Sequence, residues 1–265
     1  MKKILSIALT LVMILSLFAG MQVSAFAADE QSDLAYVKEN GKLVVGITDF
    51  EPMDYKDTDG SWIGFDADLA TAFANALGVD VEFIEIDWDN KILELNNKSI
   101  DCIWNGMTLT DEVMAAADCS NPYMLNAQVI VIKADAAEKY KTVEDMKGLV
   151  FAVEAGSAGE AAVQELGYEA TPVQTQAQAL LEVNAGTSDA AVIDLLMAVA
   201  MTGEGTDYAN LTYTFSLNEE EYGVAMRKDS DLVDALNAYF AFAYAAGIMD
   251  ELADDYGLTG SVIAQ

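Results

Sequence analysis

The chain contains no histidine, a single arginine and only two cysteines in 265 residues. Without histidine it cannot build Ser-His or Cys-His nucleophiles or histidine-ligated metal sites. Cys102 and Cys119 are too few for a disulfide framework or a four-thiolate zinc site, and they are expected either as two free thiols or as one disulfide. We therefore predict no metal site and no cofactor.

Basic residues are scarce as well. Lysine and arginine together number 13, against 44 aspartate and glutamate residues, which gives a formal net charge of -31. Such a surface repels phosphate backbones and anionic membrane surfaces, so nucleic-acid binding is not expected. Apolar residues make up 53% and charged residues 22%, the composition of a globular protein with one large domain or two small ones.

Residues 1–27 have the pattern of a signal peptide. Lys2 and Lys3 are followed by an apolar run over 4–19, and AFA at 25–27 supplies a small-x-small cleavage pattern. We expect an exported, soluble protein that begins at Ala28. Its net charge would be 11 minus 44, or -33, because the cut removes two lysines and no acids. No cysteine lies near the cut for lipid attachment, and no second apolar stretch has the length of a membrane span.

Strands and helices alternate along the mature chain, which is typical of α/β folds with largely parallel sheets. Apolar or alternating runs predict strands at 42–48, 79–86, 100–104, 128–133, 149–153, 190–193 and 222–226. One helix is predicted from near Phe65, with Asp66 as its cap and Gly78 as its stop, and others at 158–166, 176–184 and 232–246. The strand from 100 is expected to end at the turn dipeptide Asn105-Gly106.

Eight segments spread over nearly all of the mature chain form a recognisable series. They are KLVVGITDFEPMDY at 42–55, GFDADLATAFANALG at 64–78, EFIEIDWDN at 82–90, IDCIWNGMTLTDE at 100–112, SNPY at 120–123, EDMKGLVFAVEAGSAGE at 144–160, SDAAVID at 188–194 and EYGVAMRKDS at 221–230. In this order they resemble the extracellular amino-acid-binding proteins of ABC importers, the bacterial solute-binding proteins of family 3.

The resemblance implies a two-lobed periplasmic-binding-protein fold of type 2, in which each lobe is a mixed sheet flanked by helices. Lobe 1 would comprise 28–123 plus 223–265, and lobe 2 would comprise 128–217. Hinge strands at 124–127 and 218–222 would let the lobes close on a ligand that contacts both. The implied protein is a monomeric receptor that captures an amino acid or related small amine and delivers it to the permease subunits of an ABC transporter.

The resemblance also assigns residues to the ligand. Phe50 and Trp88 match positions where aromatic rings stack on it, although either ring can also serve core packing. Gly106 and Thr108 match the turn whose backbone carbonyl meets the ligand amine and whose hydroxyl meets its carboxylate. Asp194 matches the carboxylate that pairs with the ligand ammonium, and its plain alternative is a helix cap.

Three further residues are weaker candidates. Ser157 and Ala158 follow a strand and open a helix, so their amides are placed to meet an anion, although Ser157 is equally suited to be only an N-cap. Asp49 precedes Phe50 and is a candidate for a second ammonium, against the alternative of simple surface solvation.

One departure from the family pattern concerns the ligand carboxylate. The family's arginine, expected five residues after Thr108, is replaced by Val113, and valine cannot form the bidentate, charge-assisted bonds of a guanidinium. The single arginine, Arg227, lies in another predicted strand. Two alternatives follow. Either Asn105, Thr108, Ser157 and nearby amides replace the arginine, or the ligand lacks a free α-carboxylate, as in an amine, a polyamine, a modified amino acid or a small peptide.

Two other functions deserve comparison with a receptor. A few proteins with this fold dehydrate cyclic acids, but the chain has no histidine and no nucleophile motif to supply a placed acid or base. A sensory or adhesive module would be expected to carry a membrane or wall anchor, and none is recognised in the sequence. We therefore predict a binding protein that is not an enzyme.

Overall fold

The computed structural model describes residues 32–265, which form two mixed β-sheets with helices against them. The predicted signal peptide and its cleavage site lie outside the described residues. The first sheet has the order β4 (Asp80–Glu85), β1 (Lys42–Ile47), β5 (Cys102–Thr108), β13 (Glu220–Met226) and β6 (Asp118–Cys119), with β7 (Met124–Asn126) also paired to β13. Strand β1 is parallel to β4 and β5, whereas β13 is antiparallel to β5. A small hairpin joins β2 (Tyr55–Lys56) and β3 (Trp62–Ile63).

The second sheet has the order β10 (Glu169–Val173), β9 (Val150–Glu154), β11 (Ala190–Asp194), β8 (Gln128–Lys133) and β12 (Leu211–Ser216). Strands β10, β9 and β11 are parallel, and β8 and β12 are antiparallel additions. We call each sheet with its helices a lobe.

The chain crosses between the lobes twice. It leaves the first sheet after β7 and enters the second at β8, and it returns between β12 and β13. At this point β7 and β13 run antiparallel, with Asn126 opposite Glu220. The two segments predicted as hinge strands, 124–127 and 218–222, therefore lie side by side.

The helices pack against the two sheets through their apolar side chains, which the core buries. In the first lobe these are α1 (Asp33–Asn40), α2 (Phe65–Leu77), α3 (Lys91–Asn96), α4 (Asp111–Ala116), α8 (Leu232–Ala245) and α9 (Ile248–Asp255). In the second they are α5 (Ala158–Glu165), α6 (Gln176–Ala185) and α7 (Leu195–Met201). Trp104 of β5, fully buried, lies between Phe73 of α2 and Phe240 of α8, which anchors both helices on the first sheet.

No single helix among the described residues has the length and hydropathy to cross a membrane. Only α8 and α9 taken together have that length and hydropathy, and they are bent by 76° where they meet. Both thiols are free. Cys102 and Cys119 lie in strands on opposite sides of β13, opposite Met226 and Ala225 respectively, so that strand separates them.

Two local predictions are wrong. Asp66 does not cap α2, whose N-cap is Gly64; its carboxylate is fully buried and accepts hydrogen bonds from the Gly106 N–H (2.6 Å) and the Tyr123 hydroxyl (2.7 Å). Asn105-Gly106 does not end its strand, because β5 continues to Thr108 through an irregularity in its pairing with β13. In both cases a tertiary contact overrides the local preference of the residues.

Candidate functional site

A cavity of about 440 Å³ lies between the two lobes. Residues at or just after the carboxyl ends of the parallel strands β1, β4, β5, β9 and β11 line it. This is the usual position of ligand sites in α/β sheets. Its wall includes every ligand residue predicted from the sequence except one: Phe50, Trp88, Asn105, Gly106, Thr108, Ser157, Ala158 and Asp194. Their contact with a ligand stays a prediction.

Asp49 is the predicted residue that the structure does not bring to the cavity. It follows β1, where side chains alternate between faces, and its neighbours Thr48 and Phe50 are buried while Asp49 is exposed. Partial burial and the charge of Glu85 raise the pKa of its carboxyl, and Lys56 opposes this. Asp49 therefore does not line the candidate site.

Asp194 ends β11 and is 4% exposed at the cavity wall. Its Oδ1 accepts hydrogen bonds from the Tyr222 hydroxyl (2.8 Å), Gln128 Nε2 (3.1 Å) and Asn126 Nδ2, and its Oδ2 accepts one from Gln176 Nε2. Burial raises its pKa to about 7, together with the nearby charge of Glu220. Since Oδ2 has one donor and two lone pairs, the carboxylate retains an acceptor position for a ligand ammonium.

Glu154 was not predicted as a site residue. It ends β9, is 3% exposed, lines the same cavity, and among the described residues its Oε1 has no hydrogen-bond partner. Burial raises its pKa to about 8 with a further contribution from Asp194, against the opposing effect of Lys91. A buried acceptor without a donor is unfavourable, so a cationic group entering the cavity would be stabilised there.

Lys91 is the second residue that sequence reasoning missed. It begins α3 directly after the short helical turn Trp88–Asn90, and it is 9% exposed at the cavity wall. Its Nζ donates across the interlobe boundary to the Gly156 carbonyl (2.8 Å) and within its own lobe to the Trp88 carbonyl (3.2 Å). Burial lowers the pKa of the ammonium, whereas the charges of Glu154 and Glu112 raise it.

The aromatic positions have protein neighbours of their own. The Lys91 Nζ lies 4.9 Å from the centroid of the Trp88 ring, so part of that ring is already in a cation–π contact. Phe50 is 2% exposed and meets Tyr222 edge to face, with 6.4 Å between ring centroids. Gly106, at φ +52°, makes room for Phe50, since a Cβ there would lie 2.5 Å from the phenyl Cε1.

The polar groups predicted to replace the missing arginine are largely occupied. The Asn105 amide donates to the Thr48 carbonyl (3.0 Å) and to Asp54 Oδ2 (2.8 Å), and its Oδ1 accepts from the Thr48 N–H and hydroxyl. The Thr108 hydroxyl donates its one proton to Glu220 Oε2 (2.9 Å). Ser157 caps α5 by accepting from the Glu160 N–H, which leaves its hydroxyl proton for a ligand.

At Gly156 the backbones of the two lobes approach closely. This glycine has φ +69°, and a Cβ there would lie 2.8 Å from the Asp89 Cα of the other lobe. Because that neighbour is backbone, it cannot yield as a side chain would, and the glycine is required for this closed arrangement.

Gly156→Ala is therefore expected to weaken ligand binding by about 10-fold or more, because the added Cβ clashes with Asp89 only when the lobes are closed. The left-handed backbone strain, about 1–2 kcal/mol, is present in the open and the closed protein alike and lowers stability rather than affinity. Titration calorimetry would measure the affinity. Gly167→Ala is the matched control, because Gly167 has φ +70° in the same lobe with nothing within 4 Å of the added Cβ. Equal affinity in the two variants would contradict a role for the Gly156–Asp89 approach in closure.

The chain matches known proteins over nearly all of its mature length. The family model of bacterial extracellular solute-binding proteins, family 3, matches residues 43–259. The L-cystine-binding protein TcyJ of Escherichia coli is 30% identical over 254 residues, 92% of each chain, and the arginine-binding extracellular protein ArtP of Bacillus subtilis is 29% identical over 230 residues, 84% of this chain and 89% of ArtP.

A solved structure shows the same fold. A mutant of ArgBP from T. maritima superimposes with a TM-score of 0.80 and 33% identity, covering 85% of this chain and 99% of that one. The predicted α/β fold of the type 2 periplasmic binding proteins is thereby confirmed. The chain belongs to family 3 of the bacterial extracellular solute-binding proteins and is an amino-acid-type solute-binding receptor.

Proposed function

We propose that this receptor binds an amino acid with a cationic side chain in the interlobe cavity and delivers it to the permease subunits of an ABC importer. One observation carries the ligand class: two buried carboxylates, Asp194 and Glu154, line one cavity whose only buried basic residue among those described is Lys91. Two acids and one base complement a ligand with two cationic groups and one carboxylate.

The two acids suit different parts of such a ligand. The acceptor position on Asp194 takes the α-ammonium, as the family resemblance implies, and the unpartnered Oε1 of Glu154 takes the second cationic group. At 4 Å a pair of unit charges interacts by about 4 kcal/mol for an effective dielectric constant of about 20. The name of one relative supports this class, since arginine carries a guanidinium, whereas cystine, named for the other relative, carries a second carboxylate together with its second ammonium.

A thermal-shift screen of the mature protein tests the proposal. L-arginine, L-lysine, L-ornithine and L-cystine are compared with L-glutamine and L-glutamate, and a ligand at 100 times its Kd stabilises the protein by about 2.7 kcal/mol. We expect the cationic amino acids to raise Tm most, cystine to raise it less because of its second carboxylate, and glutamate to have the least effect. A larger shift with glutamate or glutamine would overturn the ligand class.

Binding of such a ligand is expected to strengthen with pH. The raised pKa values, about 7 for Asp194 and about 8 for Glu154, mean that both carboxyls are largely protonated at pH 6 and must lose protons to pair with cations. Affinity for L-arginine should therefore be higher at pH 8 than at pH 6 by a factor on the order of several hundred, about 10-fold from Asp194 and about 50-fold from Glu154, with protons released on binding. Calorimetry in two buffers of different ionisation enthalpy measures both quantities; an affinity that falls as pH rises would contradict this assignment.

Export, monomeric state and closure belong to the same proposal. Residues 1–27 act as the signal peptide, and intact mass of the exported protein should correspond to an unacylated chain that starts at Ala28. The segments 124–127 and 218–222 act as the hinge between lobe 1, 28–123 plus 223–265, and lobe 2, 128–217. Small-angle scattering of a monomer should show compaction at saturating L-arginine. The protein binds without turnover, so the ligand should be recovered chemically unchanged.

A further inference from the structure

We propose that Lys91 holds the carboxylate of the ligand, in place of the arginine that position 113 lacks. This inference rests on the proposed function, because it presumes that an amino acid occupies the interlobe cavity. Neither the family pattern at position 113 nor the relatives' names assign Lys91 to the ligand.

The cavity offers a ligand carboxylate few other donors. Val113 lines the cavity, is 5% exposed and offers no polar atom, so the position itself contributes only an apolar wall. The Asn105 amide and the Thr108 hydroxyl are already bonded within the protein. A carboxylate moved from water into the closed cleft needs a charged partner there.

The Lys91 ammonium lies beside the start of a helix in the second lobe. The Lys91 Nζ lies 2.8 Å from the Gly156 carbonyl, and Gly156 directly precedes Ser157 and Ala158, where α5 begins. The first N–H groups of a helix and its dipole favour an anion at that end. Lys91 therefore brings a positive charge from the first lobe to the start of α5, where the Glu160 carboxylate already accepts a hydrogen bond from the Gly156 N–H (2.8 Å).

The Lys91 ammonium still has a proton to donate. Lys91 donates to two carbonyl oxygens, which leaves one of its three protons, and within residues 32–265 it forms no ion pair. The charges of Glu154 and Glu112 act on this ammonium only from beyond ion-pair distance, so the ligand carboxylate would be its direct counter-ion. Holding it also reinforces closure, because the same ammonium bonds to the opposite lobe.

The test separates recognition of the carboxylate from a general effect on closure. Wild type, Lys91→Met, Lys91→Arg and Lys38→Met are titrated with L-arginine and with L-argininamide, which lacks the carboxylate charge. Lys38 lies exposed in the last turn of α1 and controls for the loss of one positive charge. We expect Lys91→Met to weaken L-arginine binding by about 30-fold or more while argininamide changes by less than about threefold. Lys91→Arg should restore most of the preference for arginine, and Lys38→Met should match wild type.

Each other outcome is decisive. Equal losses for arginine and argininamide in Lys91→Met would show that Lys91 acts only through Gly156, and no loss would show that it does not act at all; both overturn the inference. If wild type binds another amino acid of the screening panel better than arginine, that amino acid and its α-carboxamide become the pair, and Lys91 is still tested. The ligand class survives if that amino acid is L-lysine or L-ornithine and fails if it is L-glutamine or L-glutamate. If wild type binds none of them, the proposed function and this inference fall together.

Discussion

Replacing Asp194 with asparagine is expected to weaken ligand binding by about 2–5 kcal/mol, because a ligand ammonium would lose its charged partner inside a closed cleft. Asparagine keeps the size of the side chain and one acceptor oxygen, but it places an NH₂ group among four donors from Asn126, Gln128, Gln176 and Tyr222. Titration calorimetry with L-arginine measures the loss.

The control for this substitution is Asp189, which directly precedes β11. Asp189 is exposed just before the other end of β11, where its carboxylate accepts a hydrogen bond from the Val150 N–H (3.0 Å), so Asp189→Asn removes one negative charge far from the cavity. We expect Asp189→Asn to bind as wild type does. If Asp194→Asn binds L-arginine as tightly as Asp189→Asn, then Asp194 does not hold the ligand ammonium.

Strong local patterns explain why much of the fold could be predicted. The apolar run at 128–133 coincides with β8, and apolar residues at four-residue spacing from Phe65 coincide with α2. Gly78 ends that helix at φ +80°, a left-handed conformation that glycine adopts without strain. In these segments the local preference and the tertiary environment favour the same structure.

Apart from the two-residue strands β2, β3 and β6, the strands that were not predicted are the two edges of the second sheet. Strand β10, Glu169–Val173, contains Pro172, and β12, Leu211–Ser216, is interrupted by an irregular pairing with β8. An edge strand is paired on one side only, so it tolerates proline and needs little apolar pattern. Sequence periodicity therefore carries too little signal to identify such strands.

The candidate site was also predicted only in part from the sequence. The cavity position of Asp194 or Trp88 followed from the family resemblance, whereas Lys91 and Glu154 are charged residues that composition assigns to the surface. Their burial is created by the second lobe closing over the first, and nothing local records it. Asn105 was predicted to line the cavity, and it does, but its amide already donates hydrogen bonds to Thr48 and Asp54.

Arg227, the single arginine, directly follows β13 and lies outside the cavity. Its Nε donates to both oxygens of Asp33 in α1 (3.2 and 3.0 Å), and its terminal nitrogens reach Asp101 (3.3 Å) and the carbonyls of Leu95 (3.3 Å) and Ile100 (2.7 Å). The three charged side chains are almost fully buried. One guanidinium thus joins α1, the end of α3 and the start of β5 to β13.

Arg227→Met is therefore expected to lower the free energy of unfolding by about 3–5 kcal/mol, because it leaves two buried carboxylates without a counter-charge. Urea unfolding of the ligand-free protein measures it. The neighbouring Lys228 provides the control: its ion pair with Asp118 is partly exposed (48% and 38% of the side chains), so Lys228→Met should cost no more than about 1 kcal/mol. Similar losses in the two variants would show that the buried position of Arg227 does not matter. Since Arg227 does not line the cavity, the folded Arg227→Met protein should bind L-arginine with wild-type affinity, which separates the arginine that holds the first lobe together from the lysine that we assign to the ligand.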